Sequence, residues 1–131
     1  DNTFYEKTYV QNQILGRALL ESVLFYDGKC IFTTVTIDEM EFYGVTGREL
    51  GGIVEQLRLT DGVEVAIFLY QTGEEEYKVS LRSKKKIDVA AIATQFGGGG
   101  HVRAAGYTAK GSVYQIINSI GELIEKQYNA M

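Results

Sequence analysis

One stretch of this sequence stands out from the rest: Gln95-Phe-Gly-Gly-Gly-Gly-His-Val-Arg-Ala-Ala-Gly106. The four consecutive glycines, Gly97, Gly98, Gly99 and Gly100, carry no side chains, so their amide N–H groups can approach a ligand closely and each can adopt a positive φ. The single histidine, His101, follows directly, and Arg103 comes two residues later. Bare amides, an imidazole and a guanidinium together suit an anionic oxygen such as that of a phosphate. The alternative is a flexible turn between two elements.

The residues on either side of the glycines predict a helix before them and a strand after them. Residues 87–96 have a helical pattern, with Asp88 as the N-cap and an apolar staple from Ile87 to Ile92. Gly97 is the residue expected at the helix end. Residues 104–109 are predicted to return to a sheet.

The remaining sequence alternates between helical and extended patterns. Apolar periodicity and turn residues predict helices at 8–25 and 50–59 and a short helical turn at 38–44, whose start is marked by an acidic trio. They predict strands at 30–37, 63–70 and 76–82, and the last two strands should form an antiparallel hairpin. Ser112 and Gln115 form a capping box that opens a C-terminal amphipathic helix. The order predicts one α/β (α+β) domain, a mixed β-sheet with packed helices.

Composition restricts the class of protein. The 131 residues are 45% hydrophobic, which favours a globular fold over disorder, and no apolar run approaches the ~20 residues of a membrane span. The start lacks a signal-peptide pattern and an initiator Met, which hints at a fragment or a processed chain. The lone Cys30 predicts a buried, reduced thiol in a cytoplasmic protein.

Positive charge is concentrated around the glycine stretch. Residues 82–110 contain six Lys and Arg residues, including Lys84 to Lys86, and one acidic residue, a charge of +5, so the rest of this −4 chain carries −9. This asymmetry indicates a local anion site rather than a broad basic surface. Lys84 to Lys86 fit a solvated lysine run equally well.

Several common functional motifs are absent from the sequence. The glycine spacing would require glycine at 102 or 103, where Val and Arg stand, so the dinucleotide-binding fingerprint fails. Lys110 is not in a phosphate-binding P-loop setting. One His and one Cys cannot build a common zinc site or a two-metal phosphodiesterase centre. No local spacing gives His101 the carboxylate partner that a nucleophilic triad requires. We therefore expect His101 to act by hydrogen bonding rather than by metal ligation.

The same residues resemble a known family. Phe96-Gly-Gly-Gly-Gly-His101 followed by Ala104-Ala-Gly106 closely resembles the signature of the DHH-associated domain, the C-terminal half of DHH-superfamily phosphoesterases. Lys78-Val-Ser-Leu-Arg-Ser83 and Gly62-Val-Glu-Val-Ala66 resemble two of its strands, and residues 87–93 resemble its short helix. The similarity covers about residues 8–110 in order, and we expect residues 1–131 to form this substrate-binding domain.

The resemblance implies half of a two-domain enzyme. In the family, an N-terminal domain carries the Asp-His-His motif and binds metals, usually manganese, while the C-terminal domain closes over the cleft and holds the substrate. Relatives include oligoribonucleases that also dephosphorylate 3′-phosphoadenosine 5′-phosphate, cyclic dinucleotide phosphodiesterases and RecJ-type single-strand exonucleases. This chain lacks the Asp-His-His motif, so we expect no catalytic residue and no metal ligand in it, and an inactive isolated domain.

The expected substrate-binding residues follow from the resemblance and from side-chain chemistry. They are Arg82, Ser83, Gly97, Gly98, Gly99, Gly100, His101 and Arg103. Arg82 has a strand-end salt bridge as its structural alternative, and Ser83 has an ordinary hydrogen-bonding one. Some members of the family lack a cation at the position of Arg103. The expected partners are the upstream Asp-His-His domain and a nucleotide or short single-stranded nucleic acid, with no membrane; homo-oligomerisation is left open. The alternative function is a free-standing nucleotide- or RNA-binding module without catalysis.

Overall fold

The computed structural model describes residues 6–131, and the first five residues, part of the start that lacks a signal-peptide pattern, lie outside this range. The elements are α1 (Tyr9–Leu20), β1 (Val23–Phe25), β2 (Cys30–Val35), α2 (Ile37–Tyr43), a 3-10 turn (Gly47–Leu50), α3 (Ile53–Arg58), β3 (Val65–Gly73), β4 (Glu76–Ser83), α4 (Val89–Gln95), β5 (Gly99–His101), β6 (Ala104–Lys110) and α5 (Val113–Asn129). None of these helices has the length and apolar content that crossing a bilayer requires.

The strands form one mixed sheet in the order β1-β2-β3-β4-β6-β5. Strands β2 and β3 are parallel, and every other neighbouring pair is antiparallel. A parallel pair needs a long crossover connection, and here α2, the 3-10 turn and α3 supply it. The predicted hairpin of β3 and β4 is confirmed, and so is the α/β fold class.

Helices cover the two faces of this sheet unequally. On one face, α4 and α5 pack over the middle of the sheet, in a core that includes Leu81, Ile92, Tyr107 and Ile120. On the other face, the apolar side chains of α1, α2 and α3 pack against β2 and β3, and α3 also contacts β4. Cys30 lies in the first core and is fully buried, as predicted.

The local signals for helix ends are confirmed. Asp88 accepts a hydrogen bond from the Ala91 amide at 3.0 Å, and Ser112 forms the predicted capping box with Gln115. Two acidic residues of the predicted trio lie in the first turn of α2, where the helix dipole favours negative charge.

The prediction of one helix over residues 8–25 is wrong at its C-terminal end. Helix α1 stops at Leu20, and Val23–Phe25 form the edge strand β1 paired with β2. A tight turn makes this pairing possible, because Tyr26, Asp27 and Gly28 all have positive φ. The apolar residues of this segment fit a helical stripe, yet β-branched and aromatic side chains also favour strands, and pairing with β2 selects the strand.

Candidate functional site

The first two glycines of the tetraglycine stretch end helix α4. Gly97 has a φ of +87°, its N–H donates to Thr94 O at 3.1 Å, and the Gly98 N–H donates to Ala93 O at 2.9 Å. This pair of bonds is the Schellman arrangement, in which a left-handed residue closes the last helical turn. The amides of Gly97 and Gly98 are therefore engaged within the domain and do not face a ligand.

The next two glycines and His101 form the short edge strand β5. The Ser83 N–H donates to Arg103 O at 3.0 Å, so Arg103, just before β6, and Ala105, within β6, bond toward β4. In an antiparallel ladder the alternate residues, Ala104 and Gly106, bond toward β5, where their partners are His101 and Gly99. Gly100 consequently turns its N–H away from β6. It is the one glycine amide of the four left for a ligand.

Close packing explains why two of these positions must be glycine. A Cβ atom at Gly98 would lie 2.5 Å from the Tyr107 Cβ, and one at Gly100 would lie 2.6 Å from the Ala105 Cα. Gly100 also has a φ of +147°, which L side chains rarely adopt. A Cβ at Gly99 would meet nothing within 4 Å. Gly98 and Gly100 let β5 lie against β6, whereas Gly99 faces outward.

The glycine strand borders a sheet surface, which we call the open face, that a helix contacts only at its β4 edge, through α3. It continues the sheet face on which α1–α3 pack, across strands β4, β6 and β5. Its side chains alternate with the buried ones, and none of its residues is buried: Lys78, Ser80 and Arg82 from β4; Ala104, Gly106 and Thr108 from β6; Gly99 and His101 from β5. This face was not predicted from the sequence, although Lys78, Ser80 and Arg82 alternate with apolar residues.

Two cationic or polar side chains flank a floor of small residues on the open face. Arg82 pairs with Ala104 on one side of β6, and His101 pairs with Ala104 on the other. Adjacent strands are about 4.8 Å apart, so the two backbones lie about 10 Å apart. Between them lie Ala104 and Gly106, and a Cβ at Gly106 would lie 2.8 Å from Val79 O. A small anion can therefore approach the sheet between a guanidinium and an imidazole.

A carboxylate on helix α3 holds Arg82 in place. Arg82 Nε donates to Glu55 Oε2 at 2.9 Å, and Arg58 Nε donates to the other oxygen, Oε1, at 3.0 Å. Burial alone would raise the pKa of Glu55, but the bonds from Arg58 and Arg82 outweigh it and the pKa lies below its usual value. Arg82 Nη1 donates to Leu81 O, and within residues 6–131 nothing accepts from Nη2. That end of the guanidinium is available to a ligand.

Ser83 and Arg103 do not lie on the open face. Ser83 is 2% exposed, and its Oγ donates to Ile87 O at 2.6 Å. Arg103 donates from Nη1 to Ser83 Oγ and Ile87 O and from Nη2 to Lys85 O, at 3.0, 2.7 and 2.6 Å. These bonds tie the loop after β4 to the start of β6. The structure thus separates Ser83 and Arg103 from Arg82 and His101, the pair that it brings together.

The described residues do not fit a metal centre. Across residues 6–131, no three His, Cys, Asp or Glu side chains lie together in a way that could hold a metal ion. The acidic Glu55 is already engaged by two arginines. The arrangement on the open face can bind an anion, and it offers no metal ligand set.

A match to a known domain family agrees with this arrangement. The family model of the DHHA1 domain matches residues 27–127. The match runs from the turn before β2 to the last turn of α5 and includes the whole open face. The chain belongs to the DHHA1 domain family. It is thus a DHH-associated accessory domain of the kind found in DHH-family phosphoesterases, as the sequence resemblance implied.

Individual relatives of this DHHA1 domain are longer proteins. Over 55 residues the chain is 47% identical to the bifunctional oligoribonuclease and PAP phosphatase NrnA of Thermus thermophilus, a segment that is 42% of this chain and 17% of that protein. An exopolyphosphatase-related protein from Bacteroides fragilis superposes with a TM-score of 0.84 at 22% identity, over 94% of this chain and 36% of that one. The chain therefore spans about a third or less of these relatives.

Two further structures share the fold at lower similarity. The pGpG-specific phosphodiesterase PggH from Vibrio cholerae has a TM-score of 0.58 at 10% identity, over 92% of this chain and 39% of that one. The C-Ala domain of Aquifex aeolicus alanyl-tRNA synthetase has a TM-score of 0.51 at 16% identity, over 73% of this chain and 86% of that one. Identities this low show a common fold.

Proposed function

We propose that this DHHA1 domain binds the phosphate of a nucleotide or short oligonucleotide for a manganese-dependent DHH-family phosphoesterase. The observation that carries the proposal is the open face, where Arg82 and His101 flank a floor of small residues. The proposed partners are an Asp-His-His catalytic domain, which would hold the manganese, and the nucleotide itself. This chain contributes binding and orientation only.

The chemistry of the open face supports a phosphate ligand. The free end of Arg82 can donate to two phosphate oxygens, and its bond to Glu55 positions it beforehand, which lowers the entropy lost on binding. His101, exposed at the end of β5, can donate from its imidazole. The Gly100 amide, which points away from β6, provides a further donor without a side chain in the way.

The names of two similar proteins support the nucleotide part of the proposal. One is an oligoribonuclease and PAP phosphatase, and the other is a pGpG-specific phosphodiesterase. Both names denote hydrolysis of nucleotide phosphate esters. Because the chain spans only a fraction of each protein, activity and substrate come to this domain as a proposal.

Calorimetric titration of the chain with 3′-phosphoadenosine 5′-phosphate tests the site. Arg82→Ala removes a charged hydrogen-bond donor, worth about 1.5–3 kcal/mol, so the affinity should fall about 10- to 150-fold. His101→Ala should also weaken binding. Arg58→Ala is the matched control, because Arg58 binds the same Glu55 carboxylate from helix α3.

The Arg58→Ala control should bind the nucleotide with an affinity within about threefold of wild type, because it removes a guanidinium that lies outside the open face. If Arg58→Ala and Arg82→Ala lose affinity equally, the effect is one of general charge and the site is wrong. If wild type binds no nucleotide phosphate at millimolar concentrations, the proposal fails.

A further inference from the structure

Four lysines gather at the end of the sheet from which β6 starts. Lys29 lies at the end of the turn between β1 and β2, and Lys84, Lys85 and Lys86 form the loop between β4 and α4. Together with Glu64 and Tyr128 they line an open cavity of about 260 Å³. We call these four residues the lysine cluster. Neither the family signature nor the open face includes them.

The charges of the lysine cluster are not neutralised by ion pairs. Among residues 6–131, none of the four ammonium groups forms a salt bridge. Glu64 accepts instead from the backbone amides of Lys85, Lys86 and Ile87, at 3.1, 2.7 and 3.0 Å to one carboxylate oxygen. Four positive charges therefore surround one carboxylate that is already engaged, and the cavity attracts anions.

Two of the four lysines are held in position. The Lys29 Nζ lies 5.5 Å from the ring centre of Tyr26 and 5.6 Å from that of Tyr128, within the range of cation–π attraction. Lys84 Nζ donates to Thr60 O at 2.9 Å. Side chains positioned before binding lose less entropy when a ligand arrives. Lys85 and Lys86 are exposed, and their side chains are free to follow the ligand.

A hydrogen bond joins the loop of the lysine cluster to the turn that follows β5. Arg103, two residues after His101, donates to the Lys85 carbonyl oxygen at 2.6 Å. From β5, which carries His101, to β2, which follows Lys29, there are four strand spacings, or about 19 Å. A ligand with anionic groups along an extended chain can reach both places, whereas a mononucleotide cannot.

We propose that the lysine cluster is a second subsite, which binds the phosphodiester backbone of a single-stranded oligonucleotide whose terminal phosphate occupies the open face. The inference rests on the proposed function, because it takes the open face as the position of that terminal phosphate. Lys29 covers the rings of Tyr26 and Tyr128, so the subsite contacts phosphates rather than stacking bases, and binding there is independent of base sequence.

The test compares two ligands on the complete chain: a 5′-phosphorylated diadenylate and an oligoadenylate of about a dozen nucleotides. The variant is Lys85→Gln with Lys86→Gln. Both residues donate to Glu64 through their backbone amides, and Lys85 accepts from Arg103 through its carbonyl oxygen, so the side-chain changes should leave the thermal unfolding midpoint unchanged. The matched control, Arg48→Gln with Lys110→Gln, removes the same charge from two exposed residues near the opposite end of the sheet.

The long ligand should bind the lysine variant roughly 25-fold more weakly at 0.1 M salt, with a log–log salt slope reduced by about 1.4, because each lost phosphate contact contributes about 0.7. The dinucleotide should bind both variants within about twofold of wild type. Equal weakening of the two ligands, no weakening of the long one, or an equal loss in the control would overturn the subsite. A different outcome would separate the two proposals: the long ligand loses affinity only in the lysine variant, and the dinucleotide does not bind wild type. That outcome would support the subsite and refute the proposed function.

Discussion

Glu64 supports the loop that carries three lysines of the cluster, and replacing it with Gln probes that support. Glu64 is 9% exposed, and its Oε2 accepts from three successive amides. Bonds to a charged acceptor contribute about 1.5–3 kcal/mol and neutral ones about 0.5–1.5 kcal/mol. Losing about 1 kcal/mol at each of three bonds predicts that Glu64→Gln lowers the free energy of unfolding by about 3 kcal/mol at pH 7.

The same contact predicts a pH dependence. Burial alone would raise the pKa of Glu64, but the amide bonds from Ile87, Lys86 and Lys85 outweigh it and hold the pKa below its usual value. A lowered folded-state pKa means that the stabilisation is present above the unfolded-state pKa of about 4.3 and is lost as the pH falls through the folded-state pKa. Protonated Glu resembles Gln, so the difference between wild type and Glu64→Gln should shrink at acid pH.

Urea unfolding followed by circular dichroism, at pH 7 and at about pH 3.5, measures both effects. Glu55→Gln is the control, because the Glu55 side chain is 47% exposed and its ion pairs with Arg58 and Arg82 are open to solvent. Pairs of that kind contribute about 0–1 kcal/mol. A loss below about 1 kcal/mol for Glu64→Gln, or one that does not change with pH, would refute the reasoning.

Two further predictions concern the glycine stretch and the buried thiol. Gly98→Ala should lower the free energy of unfolding by about 1–3 kcal/mol through overpacking, because a Cβ at Gly98 would meet neighbouring backbone. Gly99→Ala, whose Cβ would meet nothing within 4 Å, should change it by no more than about 0.5 kcal/mol. Equal shifts of the thermal unfolding midpoint in the two variants would contradict this. Burial raises the pKa of Cys30 to about 12, so at pH 8 its thiol should react with a disulfide reagent only in urea; rapid labelling of the native chain would contradict the buried position.

The glycine stretch was only partly predicted: the need for glycine is confirmed, but most of the glycine amides are not open to a ligand. Four consecutive glycines predicted a set of open amides, and the requirement for glycine is explained by the structure. The amides themselves are mostly used internally, in the Schellman end of α4 and in the β5–β6 ladder. Glycine disfavours strands, so β5 could not be predicted from its own residues and forms because β6 offers a pairing edge.

Arg82 and Arg103 show a second difference between the sequence prediction and the structure. The family resemblance implied that Arg82 and Arg103 both contact the ligand, and a guanidinium suits phosphate. The structure holds Arg82 on the open face through Glu55, which is 27 positions away in sequence, and directs Arg103 to Ser83 and two backbone carbonyls. The side of the sheet on which each arginine lies distinguishes them.

What the sequence determined by itself was local. The cap at Asp88, the capping box of Ser112 and Gln115, the helix end at Gly97 and the β3–β4 hairpin each depend on residues a few positions apart, and the glycine signature identified the family. Only the tertiary structure decided which surface stays uncovered, because α1 and α2 pack against β2 and β3 and only α3 reaches β4. It also brought the lysines of two distant loops together. Such contacts join residues far apart in the chain, and periodicity and local propensity carry no information about them.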